Sequence, residues 1–181
     1  MKRLAIIWAL SLFAPGLVIP GQLLVKLKGG YFYPANDAFR DIYGGGMAYC
    51  LEACTPVSKN IEIWVEVGYF SKAGKLSFTG ETTRLQIIPA GGGVKYLFPG
   101  KKLRFYSGLG VSYYRFREAN LLGTINWGRP GVVVKLGSCF KATEKTLIDL
   151  YLNYSYCKMK SADFAFNIGG LELGVGLGYE F

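Results

Sequence analysis

The side chains able to do chemistry are few and oddly distributed. The chain has no histidine, which excludes Ser-His-Asp and Cys-His nucleophiles and His-ligated zinc together. Glu62 and Glu66 share one face of a two-residue alternation. Extended backbone sets them roughly 13 Å apart, wider than either glycosidase geometry allows. The four cysteines, Cys50, Cys54, Cys139 and Cys157, suggest two disulfides in an exported chain. Cys50 and Cys54, however, are again about 13 Å apart on one strand, beyond the reach of a bridge. Cys139 and Cys157 belong to opposite ends of neighbouring strands. All four are expected to be free, small fillers, and their spacing is not a zinc pattern. Gly44-Gly45-Gly46 and Gly91-Gly92-Gly93 lead into neither a helix period nor a Lys-Ser/Thr pair, so they are not phosphate loops. No catalytic, cofactor or metal site is expected, and so no enzyme.

What remains is a set of charges of one parity. Glu62, Glu66, Lys95, Arg104, Lys135, Asp149 and Glu172 each alternate with large apolar neighbours. The elements that carry them must therefore be strands, because only a two-residue period separates the two sets. Eight such stretches follow one another near 22–34, 45–55, 61–70, 85–98, 103–113, 132–140, 148–157 and 171–181. The last shows the pattern plainly. Leu171, Leu173, Val175, Leu177, Tyr179 and Phe181 oppose Glu172, Gly174, Gly176, Gly178 and Glu180.

Volume decides which face points outward. Eight strands close around a lumen only wide enough to be filled by side chains. About forty Leu, Ile, Val, Tyr and Phe side chains would overfill it, whereas the glycine-rich, charged face fits. The apolar face must look out into lipid, which gives an all-β, eight-stranded, antiparallel, up-and-down transmembrane barrel. A charge buried alone costs several kcal/mol, so the seven inward charges are expected to form an ion-pair network across the lumen. Glu62 should meet Lys95, with Lys135 and Glu172 flanking the seventh strand. The network is read as structural, with a conduction path or ligand cradle as the sharper alternative.

Connections alternate in length, as such a barrel requires. Those at 56–60, 99–102 and 141–146 are short, and those near 35–44, 71–84, 115–130 and 158–167 are long. Outward aromatics gather at both ends. Tyr31, Tyr33, Tyr49, Tyr69, Tyr113, Tyr154 and Tyr156 form one ring, and Tyr96, Phe98, Phe105, Phe140, Tyr179 and Phe181 the other. Between them lie Val25, Val65, Val111, Val134, Leu150 and Val175. Two aromatic girdles around an aliphatic band match the preference of these rings for headgroup depth.

The N-terminus has its own logic. Met1-Lys2-Arg3 precedes a nearly unbroken apolar run, Leu4 to Val18, interrupted at Pro15-Gly16. That is a basic start and an h-region of secretory length, so residues 1–21 are expected to be a cleaved signal and 22–181 the barrel domain. The formal net charge of +9 does not gather into a nucleic-acid patch. Lys59, Lys101, Lys102, Lys141 and Lys145 fall in the short turns, and Lys72, Lys75, Arg115, Arg117 and Arg129 in or beside the long ones.

With the signal, the eight alternating strands and the terminal Tyr179-x-Phe181, the chain resembles the small outer-membrane β-barrel proteins of Gram-negative-type bacteria. That group includes the OmpA transmembrane domain and the OmpW- and OmpX-like porin-family barrels. The resemblance covers 22–181 and implies residence in the bacterial outer membrane. It also implies recognition of Tyr179 and Phe181 by the outer-membrane assembly machinery. No cell-wall-binding domain is expected after Phe181. The partners so implied are outer-membrane lipid and, through the outer basic set, the phosphates of lipopolysaccharide; solvated loop charge is the plainer account of that set. The expected role is structural and interactive, serving membrane integrity with a lumen plugged by polar residues. One alternative is a narrow pore or a route for small apolar molecules. Another is a soluble exported barrel holding a lipophilic ligand.

Overall fold

Alternation of large apolar with small or charged residues carries directly into paired strands. The computed structural model describes residues 23–75, 82–120, 123–161 and 164–181. The expected signal segment and part of the 71–84 connection lie outside the described residues. The elements are β1 (Leu24–Pro34), α1 (Asp37–Tyr43), β2 (Gly46–Ser58), β3 (Ile61–Lys75), β4 (Thr82–Leu97) and β5 (Leu103–Asn120). They continue with β6 (Gly123–Lys141), β7 (Thr146–Tyr156), β8 (Lys158–Ser161), β9 (Phe164–Asn167) and β10 (Gly170–Glu180).

Eight of the strands form a closed antiparallel barrel in the order β1-β10-β7-β6-β5-β4-β3-β2, and β8 and β9 pair apart from it. Closure is made by β1. It pairs with β10 from Leu24↔Glu180 to Pro34↔Gly170 and with β2 from Leu24↔Cys54 to Phe32↔Gly46. A closed ring leaves no strand edge unpaired, which hydrocarbon requires. The shortest barrel strands, β1, β7 and β10, have 11 residues each, about what a tilted strand needs to span a bilayer core.

Two of the expected long loops are something else. The stretch near 115–130 is the projecting end of the β5–β6 hairpin, paired without a break to Asn120↔Gly123. β3 and β4 likewise run past the expected ends of their stretches, to Lys75↔Thr82. The period of two persists there while its polarity inverts. Outward positions become Lys75, Arg84, Arg115 and Arg117, all exposed, and inward ones become Leu85, Ile87 and Phe116, all buried. Beyond the girdle the outside is water, so the apolar face turns in.

The 35–44 connection holds α1. Asn36 caps it, its Oδ1 accepting from the Phe39 N–H at 3.0 Å, and Gly44 ends it at φ 63° with its N–H donated to Arg40 O. That φ favours glycine. The segment 158–167 contains the β8–β9 hairpin. Between the girdles the exposed band includes Leu27, Val65, Leu109, Val111, Leu150 and Val175. Val25 pairs with Tyr179, so it belongs to the level of the Phe-rich ring and not to the middle.

Candidate functional site: the barrel lumen

Inward positions on every strand converge on one packed interior, built in two layers. The layer towards the short turns is ionic. Glu52, on β2, is fully buried and stands at its centre. Lys28 Nζ donates to it at 3.1 Å and Lys135 Nζ at 2.7 Å; Lys95 Nζ also donates to it, and Lys26 Nζ lies 3.7 Å away. Asp149, on β7, accepts from Lys26 Nζ at 3.0 Å and from the Tyr106 hydroxyl at 2.9 Å. Glu66 accepts from Lys135 and, at 3.2 Å, from the Cys50 thiol. Lysine ammonium groups also lie against rings. Lys135 is 3.8 Å from the Trp64 ring centre, Lys28 4.5 Å from Tyr151, and Lys95 4.9 Å from Tyr106. Four ammonium groups are thus held among three carboxylates, with ring faces taking up the remaining charge.

Of the seven charges expected here, Lys95, Lys135, Glu66 and Asp149 come together. The others do not join them. Glu62 lies opposite Lys95 in the β3–β4 register, but the Lys95 ammonium reaches inward to Glu52, and Glu62 has no ion pair among the described residues. Arg104 is exposed, and its Nε donates to the Gly100 carbonyl at 3.2 Å in the adjoining turn. At that depth water competes with any lumen partner. Glu172 accepts from the Tyr151 hydroxyl at 2.7 Å in place of a lysine. Three members were missing from the expected set: Lys26, Lys28 and Glu52. Their parity already marked them as inward, so the alternation contained the signal. What it lacked was their depth, because parity assigns a face without a height.

Glycine makes the space for these rings. A methyl group on Gly110 would run into the Trp64 ring, and one on Gly30 would lie 2.6 Å from the Tyr151 hydroxyl. The four cysteines are free, with Cys54 and Cys157 buried.

The second layer, towards the long hairpins, is apolar. Phe32, Ala48, Phe70, Leu85, Ile87, Tyr114, Phe116 and Ile168 pack together beneath Phe39 and Tyr43 of α1. The expected plug of polar residues does not describe this half. Inward positions there become large and apolar, because α1 and the hairpins cover them from water. Where the layers meet, a cavity of about 60 Å³ touches Glu66, Glu172, Asn153 and Ser155. The buried Asn153 Oδ1 has no hydrogen-bond partner among the described residues. Such a polar void suits one or two buried waters.

A closed ring of eight antiparallel strands, girdled at both rims and filled by side chains, is the deciding geometry. The fold is that of the small outer-membrane β-barrels. Neisserial surface protein A matches it with a TM-score of 0.71 at 16% identity, over 88% of this chain and 97% of that one. The outer membrane protein OprG from Pseudomonas aeruginosa gives 0.72 at 13% identity, over 89% and 96%. The E. coli outer membrane protein W gives 0.54 at 15%, over 89% and 98%. At such identities the likeness is one of fold. No family model and no curated protein matches the chain. The barrel's exposed belt is the face that this fold turns to lipid, so the chain is a transmembrane barrel.

Proposed function

We propose that this barrel resides in the bacterial outer membrane as a structural and surface-presenting protein, with a lumen shut to ions. The observation that carries this reading is the stacking of the two layers. An ion entering from the long-hairpin end meets α1 and the apolar packing beneath it; one entering from the short turns meets Glu52 with its four lysines. The buried carboxylates are occupied by lysine, tyrosine or cysteine donors, so the reading includes no reaction.

Planar bilayers test it. The purified mature barrel should give no stepwise conductance in molar salt, and regular single-channel steps would refute closure. A transport route for small apolar molecules draws on one specific feature. The β3–β4 pairing runs to Val67↔Ala90 and resumes at Phe70↔Ile87; between them Pro89, which lacks an N–H, faces the Gly68 region. Uptake of an apolar fluorophore into barrel-containing vesicles, abolished by cross-linking β3 to β4, would favour that route. The soluble alternative is disfavoured by the belt, which exposes Leu27, Leu109 and Val111 at 64–66%.

Two further assignments complete the proposal. The exposed Phe181 packs edge-on against Tyr179, ring centres 4.9 Å apart, and this pair is the surface offered to the assembly machinery. Arg84, Arg115 and Arg117 stand outward on β4 and β5 just above Tyr113, Arg84 diagonal to Arg117 across the pair Arg84↔Ala119. No acidic side chain pairs with them among the described residues. Guanidinium groups at headgroup depth suit lipopolysaccharide phosphates.

A further inference from the structure

The mouth of the barrel contains a cavity of about 370 Å³ that the lumen network does not reach. Its walls come from α1, β5 and β9: Phe39, Ile42 and Tyr43 on one side, Phe116, Glu118 and Phe166 on the other. That volume lies in the range that encloses small organic ligands, and apolar walls with a few fixed polar groups are typical of such sites. The aromatic wall is braced from behind. Trp127 stacks on Phe116 with ring centres 6.3 Å apart, and Phe166 meets both rings.

Glu118 is the unusual member. Its Oε1 accepts from the Tyr43 hydroxyl at 2.6 Å and from Thr83 Oγ1 at 3.1 Å. Both donors take the same oxygen, and among the described residues none donates to Oε2. The strand's own cations do not offset it, since Arg115 and Arg117 point outward by alternation. Arg40 of α1 is occupied by Asp37 and by the face of Tyr33. An oriented carboxylate with one spare oxygen therefore looks into an aromatic cavity, where a charge is screened less than in water.

We propose that this cavity binds an amphipathic organic cation. Its apolar or aromatic body lies against Phe39, Ile42, Phe116 and Phe166, and its protonated amine donates to Glu118 Oε2. Ring faces favour the same positive charge, and an anion of equal shape is rejected by the carboxylate. This goes beyond the structural role proposed above and does not depend on whether the lumen conducts.

Calorimetry on the barrel in phosphatidylcholine nanodiscs tests it, with empty discs as control. Phenethylammonium, phenethyl alcohol and phenylacetate share one body and differ in charge. The amine should bind saturably and about tenfold tighter than the alcohol, the worth of one charge-assisted hydrogen bond; phenylacetate should not bind. Glu118→Gln keeps an acceptor for Tyr43 and Thr83, so the cavity persists while amine affinity falls to that of the alcohol. Phe116→Ala should weaken both ligands. Equal affinity for amine and alcohol in the unaltered barrel overturns the proposal whether or not the variants fold. So does amine affinity untouched by Glu118→Gln, or no binding above empty discs.

Discussion

Glu52 is the residue on which the interior turns. Its carboxylate has four ammonium groups within 4 Å, all of them buried, so its charge is what allows those lysines to stay there. Removing one member of a buried ion pair leaves its partners uncompensated and costs about 3–5 kcal/mol. Glu52→Gln should therefore lower the unfolding free energy obtained by urea titration by that order, and the midpoint with it. Glu62→Gln, which breaks no ion pair among the described residues, should fall within about 0.5 kcal/mol of the unaltered protein, as substitutions away from networks generally do. Equal midpoints for the two variants would show that Glu52 does not organise the lysines. Lys26, Lys28 and Glu52 were visible as inward by alternation, yet their meeting depends on the stagger of β1 against β2 and on reach across the lumen. Neither is encoded in the period.

At the scale of the element, β3 to β6 are single strands that serve two solvents. Their membrane portions place Val65, Val67, Val94, Leu109, Val111 and Val134 outward, all exposed. The projecting portions of β4 and β5 keep the same alternation with the opposite sign, Arg84, Arg115 and Arg117 out and Leu85, Ile87 and Phe116 in. Apolar-out alternation ends where the solvent changes, so the sequence pattern marks these ends as connections at 71–84 and 115–130. The outward arginines then acquire a depth, immediately above the Tyr113 girdle. Replacing Arg84, Arg115 and Arg117 together by Gln should weaken retention on lipopolysaccharide-containing vesicles. The loss should be largest at low salt, because screening already removes exposed charge interactions at high salt. Retention that is unchanged at low salt would assign the cluster to plain solvation. α1 was not legible at all: its seven residues are too few for a helical period to stand out. Helices this short are stable mainly through packing, here of Phe39 and Tyr43 against the barrel mouth.

At the scale of the whole molecule, the exposed belt, the girdles and the closed ring act as one device. Apolar side chains that would drive aggregation in water become the surface that lipid solvates, and closure pairs the strand backbones that hydrocarbon cannot satisfy, save where β3 and β4 part between Val67↔Ala90 and Phe70↔Ile87. The terminal strand completes the ring, since β10 joins β7 to β1. Phe181 follows β10 and faces outward, so it adds little to that closure. Phe181→Ala should accordingly leave detergent refolding, read by heat-modifiable gel mobility, nearly unchanged. In cells it should reduce the amount of barrel recovered in the outer membrane. A variant that reaches normal membrane levels would remove Phe181 from the assembly signal. Heat-modifiability lost in detergent as well would make its role one of folding.

The sequence alone determined the strand count, the faces, the two aromatic rings and the exclusion of histidine chemistry, because each follows from residue type and a period of two. It determined the outward face as well, through a volume argument that needs only the number of strands. Tertiary structure decided which inward charges meet, that half of the lumen is apolar, and that α1, β5 and β9 line a cavity at the mouth with Glu118 in its wall. Those outcomes depend on strand stagger and on the height of each residue along the barrel axis. Both are set by pairing between strands far apart in the chain, which no local pattern records.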